Sequence, residues 1–308
     1  MSQATIEPLN SLQVKSTALP QITLVIGAGG VKCAAALGVV SALSDAGINI
    51  ERIVGCSTGA VFASLIALGY PLAKSKAITA RLWSRQLAKP RKWHALTGWL
   101  AFRPFSFVSA DFGVCDDRNL SMSLTQVFGD KFIEDTALPL ALTATDFTTG
   151  EQVVKVAGSL TENILASLSL PPAYPPKRID GRFLADGALT DPLPVSVAIK
   201  HGARIIVAVG FESPYQKQIT GNKRIAGQLS AIHSNNLLRA KLAFNSLAHH
   251  AEMIVIMPEF RHRAGLYDTD RLAYIINEGE QAALEQLPYL HHLLQKNYAP
   301  QQAALNLA

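Results

Sequence analysis

Apolar and polar positions switch between two periods along the first seventy residues. ITLVIG, from Ile22 to Gly27, is a short β-branched apolar run closed by glycine, the pattern of a buried strand. AGGVKCAAALGVVSALSDAG follows, with helical spacing of its apolar positions from about Lys32 to Ala46 and a stop at Gly47. NIERIVG then predicts a second strand, and STGAVFASLIALG a second helix ending at Gly69. The order strand, glycine turn, helix, strand, tight turn, helix belongs to a parallel sheet covered on both faces.

Residues 70–130 read mostly as helix and loop, interrupted by Pro71, Pro90 and Pro104. LPLALTATDFTTGEQVVKVA returns to strands, with a turn at Thr149 and Gly150. NILASLSLPPAYPP is a short helix stopped by prolines, RFLADGAL leads from a strand into a turn, and PVSVAIKHG is a helix stopped at Gly202. ARIIVAVGF and EMIVIMP are further strands, separated by an amphipathic helix over 225–250, and a terminal helix covers 268–295. No repeat, low-complexity tract or linker divides the chain. The expectation is one α/β domain over 21–295, between a flexible tail at 1–20 and a C-terminal tail at 296–308.

With 308 residues and 49% hydrophobic content, the chain can fill a substantial core. It shows neither a basic segment leading into an apolar signal run nor an apolar stretch of membrane-spanning length. Cys33, Cys56 and Cys115 are odd in number and lack metal-ligand spacing, so free thiols in a reducing, cytoplasmic setting are expected, with no metal. The net charge of +5 is uneven: Arg52 to Ala110 holds no Asp or Glu but nine Lys and Arg. All three tryptophans, Trp83, Trp93 and Trp99, lie in the same stretch. Rings interleaved with bases suit a peripheral contact with anionic membrane at the inner face, with Arg91, Lys92, Trp93, Trp99 and Arg103 as candidate contacts. A helical cover with buried rings and solvated bases fits the same pattern equally well. No recognition motif accompanies the bases, so nucleic acid is not an expected partner. Oligomeric state has no sequence signal.

Chemistry concentrates at three strand ends. In Gly27-Ala28-Gly29-Gly30-Val31-Lys32, a glycine-rich turn into a helix presents backbone N–H groups suited to a phosphate or an oxyanion. Neither nucleotide fingerprint fits, because Lys32 and Cys33 stand where glycine or Gly-Lys-Ser/Thr is required. In Gly55-Cys56-Ser57-Thr58-Gly59, a serine between glycines at a strand-to-helix turn has the layout of a nucleophile elbow. With 21 glycines in 308 residues, such a match arises by chance in roughly one chain in ten. Ser57 also needs a base. In a Ser-Asp-His triad a histidine follows the acid in the chain, and His201, His233, His249, His250, His262, His291 and His292 all do, none in a motif-like turn. Asp186, in Asp186-Gly187-Ala188, is the alternative, with Asp146, Asp180 and Asp191 as competitors.

Taken together and in this order, the three motifs resemble those of the patatin-like phospholipases. The likeness extends to ATDFTTGE, SLPPAYPP, DPLPVSVA and the terminal helix around Gly279, from about residue 22 to 290. It implies a three-layer α/β/α fold with a mainly parallel central sheet. It further implies a Ser-Asp dyad of Ser57 and Asp186 without histidine, an oxyanion loop of Gly27, Gly29, Gly30, Val31 and Lys32, and no cofactor. Gly55 and Gly59 would shape the elbow, and Gly187 and Ala188 the aspartate turn. The implied substrates are phospholipids, lysophospholipids or other acyl esters. A soluble carboxylesterase and a non-catalytic lipid-binding module retaining the fold are the competing readings. Two positions depart from the family pattern: Ala28 replaces a leading glycine, and Cys33 replaces the glycine after the basic residue. A side chain at 33 either crowds the first helical turn or points into the core.

Overall fold

In the computed structural model, residues 21–82, 115, 117–216, 222–261 and 269–306 are described, so the expected tail at 1–20 lies outside them. The predicted order opens the chain: β1 (Gln21–Ile26), a 3₁₀ turn (Gly30–Ala34), α1 (Ala35–Asp45), β2 (Asn49–Cys56) and α2 (Thr58–Ala67). Next come α3 (Leu72–Leu82), α4 (Arg118–Phe128), β3 (Leu140–Asp146), β4 (Gln152–Lys155) and α5 (Leu160–Leu168). The remainder is β5 (Lys177–Ile179), β6 (Arg182–Asp186), α6 (Val195–Lys200), β7 (Ile205–Val209), α7 (Asn222–Ala248), β8 (Glu252–Ile256) and α8 (Leu272–Asn306). The terminal helix thus continues beyond the predicted end at 295. Among the described residues, no helix is long and apolar enough to cross a membrane.

One sheet runs β5-β6-β3-β2-β1-β7-β8, with β4 also paired to β3. The pairs from β3 through β2, β1 and β7 to β8 are parallel, while β4 and β6 join β3, and β5 joins β6, in antiparallel fashion. The sheet is therefore mainly parallel with an antiparallel edge. Both faces are covered, which explains why the strand sequences are apolar throughout rather than alternating. Ile22, Leu24 and Ile26 of β1 pack in one cluster with Leu43 of α1, Phe62 of α2 and Ile275 of α8. Val25, between them, joins Ile206, Val195 and Val197 on the opposite face.

Two glycines set how closely α1 and α8 cross. A Cβ on Gly38 would collide with the Ile276 carbonyl oxygen, and one on Gly279 with that of Ala35. Only hydrogen fits at either point. The crossing locks the helix that follows the glycine loop onto the sheet, and so fixes that loop beside the C-terminal ends of β1 and β2. In parallel α/β sheets, ligands bind at those ends, near the point where the strand order reverses. Here the reversal lies between β1 and β7.

Candidate active site

The site is built by two strands meeting end to end along one edge of β3. Residues Leu142 to Thr145 of β3 pair with β4 on one edge. Leu140 to Thr143 pair with β2, and Ala144 to Asp146 with β6, so β2 and β6 share the other edge in succession. Cys56 stands opposite Thr143, and Asp186 opposite Ala144, the very next residue. The last residues of β2 and β6 are thereby neighbours although they are far apart in sequence.

Beyond Cys56 the chain turns sharply. Ser57 has φ 54° and ψ −128°, a conformation costing a non-glycine residue about 1–3 kcal/mol. Its surroundings hold it there. The Ser57 N–H donates to Ser167 Oγ at 2.8 Å, and that hydroxyl donates to the Thr143 carbonyl at 2.7 Å. A Cβ on Gly55 would meet Ala63 Cβ at 2.7 Å, and one on Gly59 would collide with the carbonyl oxygens of Ile26 and Gly27. The two glycines of the motif let α2 start against β1.

The turn delivers the hydroxyl to a carboxylate. Ser57 Oγ donates to Asp186 Oδ2 at 2.7 Å. Asp186 Oδ1 accepts the Ala188 N–H at 2.9 Å, and the Asp186 N–H donates to the Ser169 carbonyl at 2.8 Å. Gly187 is required for this turn, since a Cβ there would lie 2.6 Å from the Thr143 carbonyl oxygen. Asp186 is only 4% exposed, and burial pushes its carboxyl up to about 6 against the opposing pull of the Ala188 N–H and the Ser57 hydroxyl. A carboxyl raised this far is a better base than an ordinary aspartate and is still ionised at neutral pH.

The competing acids serve other turns. Asp146 accepts the N–H groups of Thr148 and Thr149, and Asp180 pairs with Lys155 at 2.6 Å on the surface. Asp191 accepts the Leu193 N–H and the Ser196 hydroxyl, and burial raises its carboxyl to about 6 as well. Among the histidines, His201 Nδ1 lies 2.8 Å from the Val197 carbonyl, and His233 of α7 lines the cavity described below. His249, His250, His291 and His292 are exposed, and His262 lies outside the described residues.

The glycine loop faces Ser57 across Thr58. Gly30 and Gly29 donate their N–H groups to Thr58 Oγ1 at 2.8 and 3.3 Å, while those of Gly27 and Ala28 donate to the carbonyls of Val209 and Pro192. Cys33 is fully buried and points behind the loop, its Sγ 3.2 Å from the Gly27 carbonyl oxygen and 3.1 Å from Thr58 Oγ1. Of the two expectations for position 33, the core orientation holds, and burial pushes the thiol up to about 12. Val31 is buried, and Lys32 Nζ donates to the Glu212 carbonyl at 2.8 Å and lies 5.9 Å from the Phe211 ring centroid. Burial lowers the Lys32 pKa against the raising influence of Cys33 and Glu212.

Ser57, Thr58 and Asp186 open into a cavity of about 560 Å³ with walls that include Val61, Leu82, Leu120, Leu124 and Leu168. Its size and apolar walls suit an alkyl chain. A second cleft of about 460 Å³, at the N-terminal end of β2 beside Ile48 and Tyr70, contains none of the predicted site residues. Arg91, Lys92, Trp93, Trp99 and Arg103 lie outside the described residues. Of the other bases in their stretch, Lys74 Nζ sits 3.5 Å from the Tyr70 ring centroid and Arg81 Nη2 donates to Gln126 Oε1. Thr58 and Ser167 are the residues that sequence reasoning passed over. Thr58 sits inside the elbow motif, and Ser167 just ahead of the proline-rich segment, but neither carries a mark of its long-range bond.

Several known proteins resemble the chain over part of its length. An uncharacterised NTE family protein of Mycobacterium tuberculosis is 29% identical over 202 residues, covering 65% of this chain and 52% of its own. Patatin-like phospholipase domain-containing protein 7 of Mus musculus is 30% identical over 203 residues, covering 65% of this chain but 14% of its own. The chain thus spans about half the length of the mycobacterial relative and a small part of the mouse protein. Among solved structures, VipD from Legionella pneumophila aligns over 90% of this chain and 67% of its own, with 14% identity and a TM-score of 0.47. The model of the patatin-like phospholipases matches residues 24–199, more than half of the chain and a span that contains the glycine loop, the serine elbow and the aspartate turn. The chain belongs to the patatin-like phospholipase family.

Proposed function

We propose that this chain is a serine lipid acyl hydrolase of the phospholipase A or lysophospholipase type, working through a Ser57–Asp186 dyad. The observation that carries the reading is the 2.7 Å hydrogen bond from a strained serine to a buried, raised carboxylate at one end of an apolar cavity. Ser57 Oγ attacks the ester carbonyl carbon as Asp186 takes its proton. The carbonyl oxygen becomes an oxyanion, met by N–H groups of the first turn of α2 and by those of Gly29 and Gly30, which exchange Thr58 Oγ1 for it. Collapse of this intermediate expels the alcohol, which takes the proton back from Asp186 and leaves an acyl-Ser57 ester. Asp186 then removes a proton from water, whose oxygen attacks the acyl carbon. Breakdown restores Ser57 and releases a fatty acid. Every step uses residues of the chain, without metal or cofactor.

The apolar cavity favours a lipid acyl chain over a small polar ester. Lys32 would hold the loop through Glu212 and face an anionic headgroup. A panel of phospholipids, lysophospholipids and short soluble esters, with release of fatty acid followed by mass spectrometry and Ser57→Ala as control, tests the reading. Turnover of long-chain lipids is expected. Turnover confined to soluble esters would favour the carboxylesterase reading, and no turnover with no labelling of Ser57 by a fluorophosphonate would leave only a binding module.

A further inference from the structure

The glycine loop is fastened from a part of the chain remote from the three motifs. β7 ends beside it, with the Gly27 N–H donating to the Val209 carbonyl. The chain then runs through 211–216 along the wall of the Ser57 cavity, to which Ser213 and Pro214 contribute. Two contacts tie this stretch to the loop. The Phe211 ring lies so close to Gly29 that a Cβ there would come within 2.5 Å of Phe211 Cδ2. The next residue, Glu212, accepts Lys32 Nζ on its carbonyl at 2.8 Å. Gly29 and Lys32 are therefore placed against 211–216.

This stretch belongs to no strand, so its peptide groups need other partners. α7 supplies them. Asn235, only 1% exposed, accepts the Ser213 N–H on Oδ1 at 2.8 Å and donates from Nδ2 to the Ser213 carbonyl at 2.9 Å. One amide thus satisfies both polar groups of one residue, as a neighbouring strand would. Its orientation is fixed, because a backbone N–H can only donate and a carbonyl only accept. The flanking ties lie at the surface: Arg239 pairs with the Glu212 carboxylate at 2.7 Å, and Gln228 Oε1 accepts the Gln216 N–H at 2.7 Å. Exposed ties of this kind hold little. Asn235 is the buried one of the three, and its loss leaves two inward-facing peptide groups unpaired. It also lies outside residues 24–199, the span of the family match.

We propose that Asn235 is a positioning residue for the oxyanion loop. Through Ser213 it sets 211–216, and through Phe211 and the Glu212 carbonyl that stretch sets Gly29, Lys32 and the N–H groups offered to the oxyanion. The purpose rests on the lipid-hydrolase reading, but the coupling of α7 to the loop is measured without turnover. Hydrogen–deuterium exchange of the full chain, followed by mass spectrometry, compares native protein with Asn235→Leu, which removes both bonds, and Asn235→Asp, which keeps the acceptor and, ionised, lacks the donor. Asn245→Leu makes the same change at a buried asparagine further along α7, whose Nδ2 meets no partner among the described residues. Peptides over 27–34 are expected to exchange about tenfold faster in Asn235→Leu and by a smaller factor in Asn235→Asp, with β3 unchanged and Asn245→Leu as native. On a soluble short-chain ester, kcat should fall about tenfold in Asn235→Leu with KM within about twofold, since the loop N–H groups meet the oxyanion more than the bound ester. Native exchange over 27–34 in the Asn235 variants overturns the proposal, as does faster exchange there with native kcat. Equal acceleration in Asn245→Leu or across β3 would mark a general loosening and overturns it too. Should Asn235→Leu fail to fold, Asn235→Asp decides by the same comparisons. Faster exchange confined to 27–34 and 211–216, with no ester turned over by native protein, would retain the coupling and remove the catalytic reading.

Discussion

Ser57 and Asp186 are 129 residues apart and 2.7 Å from each other because β2 and β6 abut along one edge of β3. Each is also held by bonds of its own: Ser57 is pinned through Ser167 to Thr143, and Asp186 through Ser169 and Ala188. Ser57→Ala is expected to remove ester turnover by roughly 10³-fold or more and to abolish fluorophosphonate labelling. Asp186→Asn keeps the shape of the site but not the base, and a loss of roughly 10²–10⁴-fold is expected. Both are read from kcat/KM on one ester. Full activity in Asp186→Asn would exclude the dyad and bring His233, in the wall of the same cavity, back as the base.

The pH profile carries the signature of a raised carboxylate. Asp186 must be ionised to accept the Ser57 proton, and burial places its carboxyl at about 6. The expected kcat/KM rises about tenfold per pH unit up to roughly pH 6 and is flat above it. A rise centred near pH 4 would mean that water reaches Asp186 in solution and relieves its burial.

The same burial costs stability, with a definite sign. In the unfolded chain an aspartate titrates near 3.9, so between about pH 4 and 6 the folded protein holds protons that the unfolded chain has released. Stability from this group is therefore fully present below about pH 4 and is lost as pH rises through about 6, a change of roughly 3 kcal/mol. Asp191 acts in the same direction. Asp186→Asn should melt higher than native protein at pH 8, with the gap closing at pH 4, as followed by thermal denaturation. Asparagine retains the acceptor for Ala188 and can donate to Ser57. A lower melting temperature at pH 8 would show that the ionised carboxylate is compensated by groups beyond these two.

Packing of α1 on α8 leaves no room at Gly38 or Gly279. Gly279→Val is expected to destabilise the fold by more than about 3 kcal/mol, in the range of severe overpacking, although it lies far in sequence from Ser57 and Asp186. Denaturant unfolding reads the loss, with Asn277→Ala, at an exposed position of the same helix, as the neutral comparison. Equal midpoints for the two variants would show that the helices can separate without cost.

How much of this was legible in sequence differs by element. The apolar runs of β1 and β7 and the glycine-bounded helices α1 and α2 follow from period and punctuation alone, since both faces of those strands are covered. The three motifs are legible because each needs glycine next to the reacting atom for a steric reason now visible at Gly59 and Gly187. The end-to-end meeting of β2 and β6 was not legible: a five-residue strand such as β6 reads the same whether it pairs parallel or antiparallel. Asp186 therefore emerged from motif order and not from topology.

Thr58 offers the sharpest test of the glycine loop. Its Oγ1 accepts from Gly30 at 2.8 Å and from Gly29 at 3.3 Å, so both lone pairs are engaged. Cys33 has a single S–H, which donates to the Gly27 carbonyl; the contact between Thr58 and Cys33 must then be a Thr58 O–H donating to Sγ. The hydroxyl thus ties the start of α2 to three points of the loop, and the residue after the nucleophile holds the groups that would receive the oxyanion. Thr58→Val conserves the shape but leaves the buried Gly30 N–H without its acceptor, at an expected cost of about 1–3 kcal/mol. It should lower kcat more than it raises KM, because misaligned loop N–H groups weaken binding of the oxyanion and not of the acyl chain. Thr58→Ser keeps the hydroxyl and should restore both stability and kcat. If Thr58→Val melts with native protein and turns over at the native rate, the loop is held by its backbone bonds to Pro192 and Val209 alone.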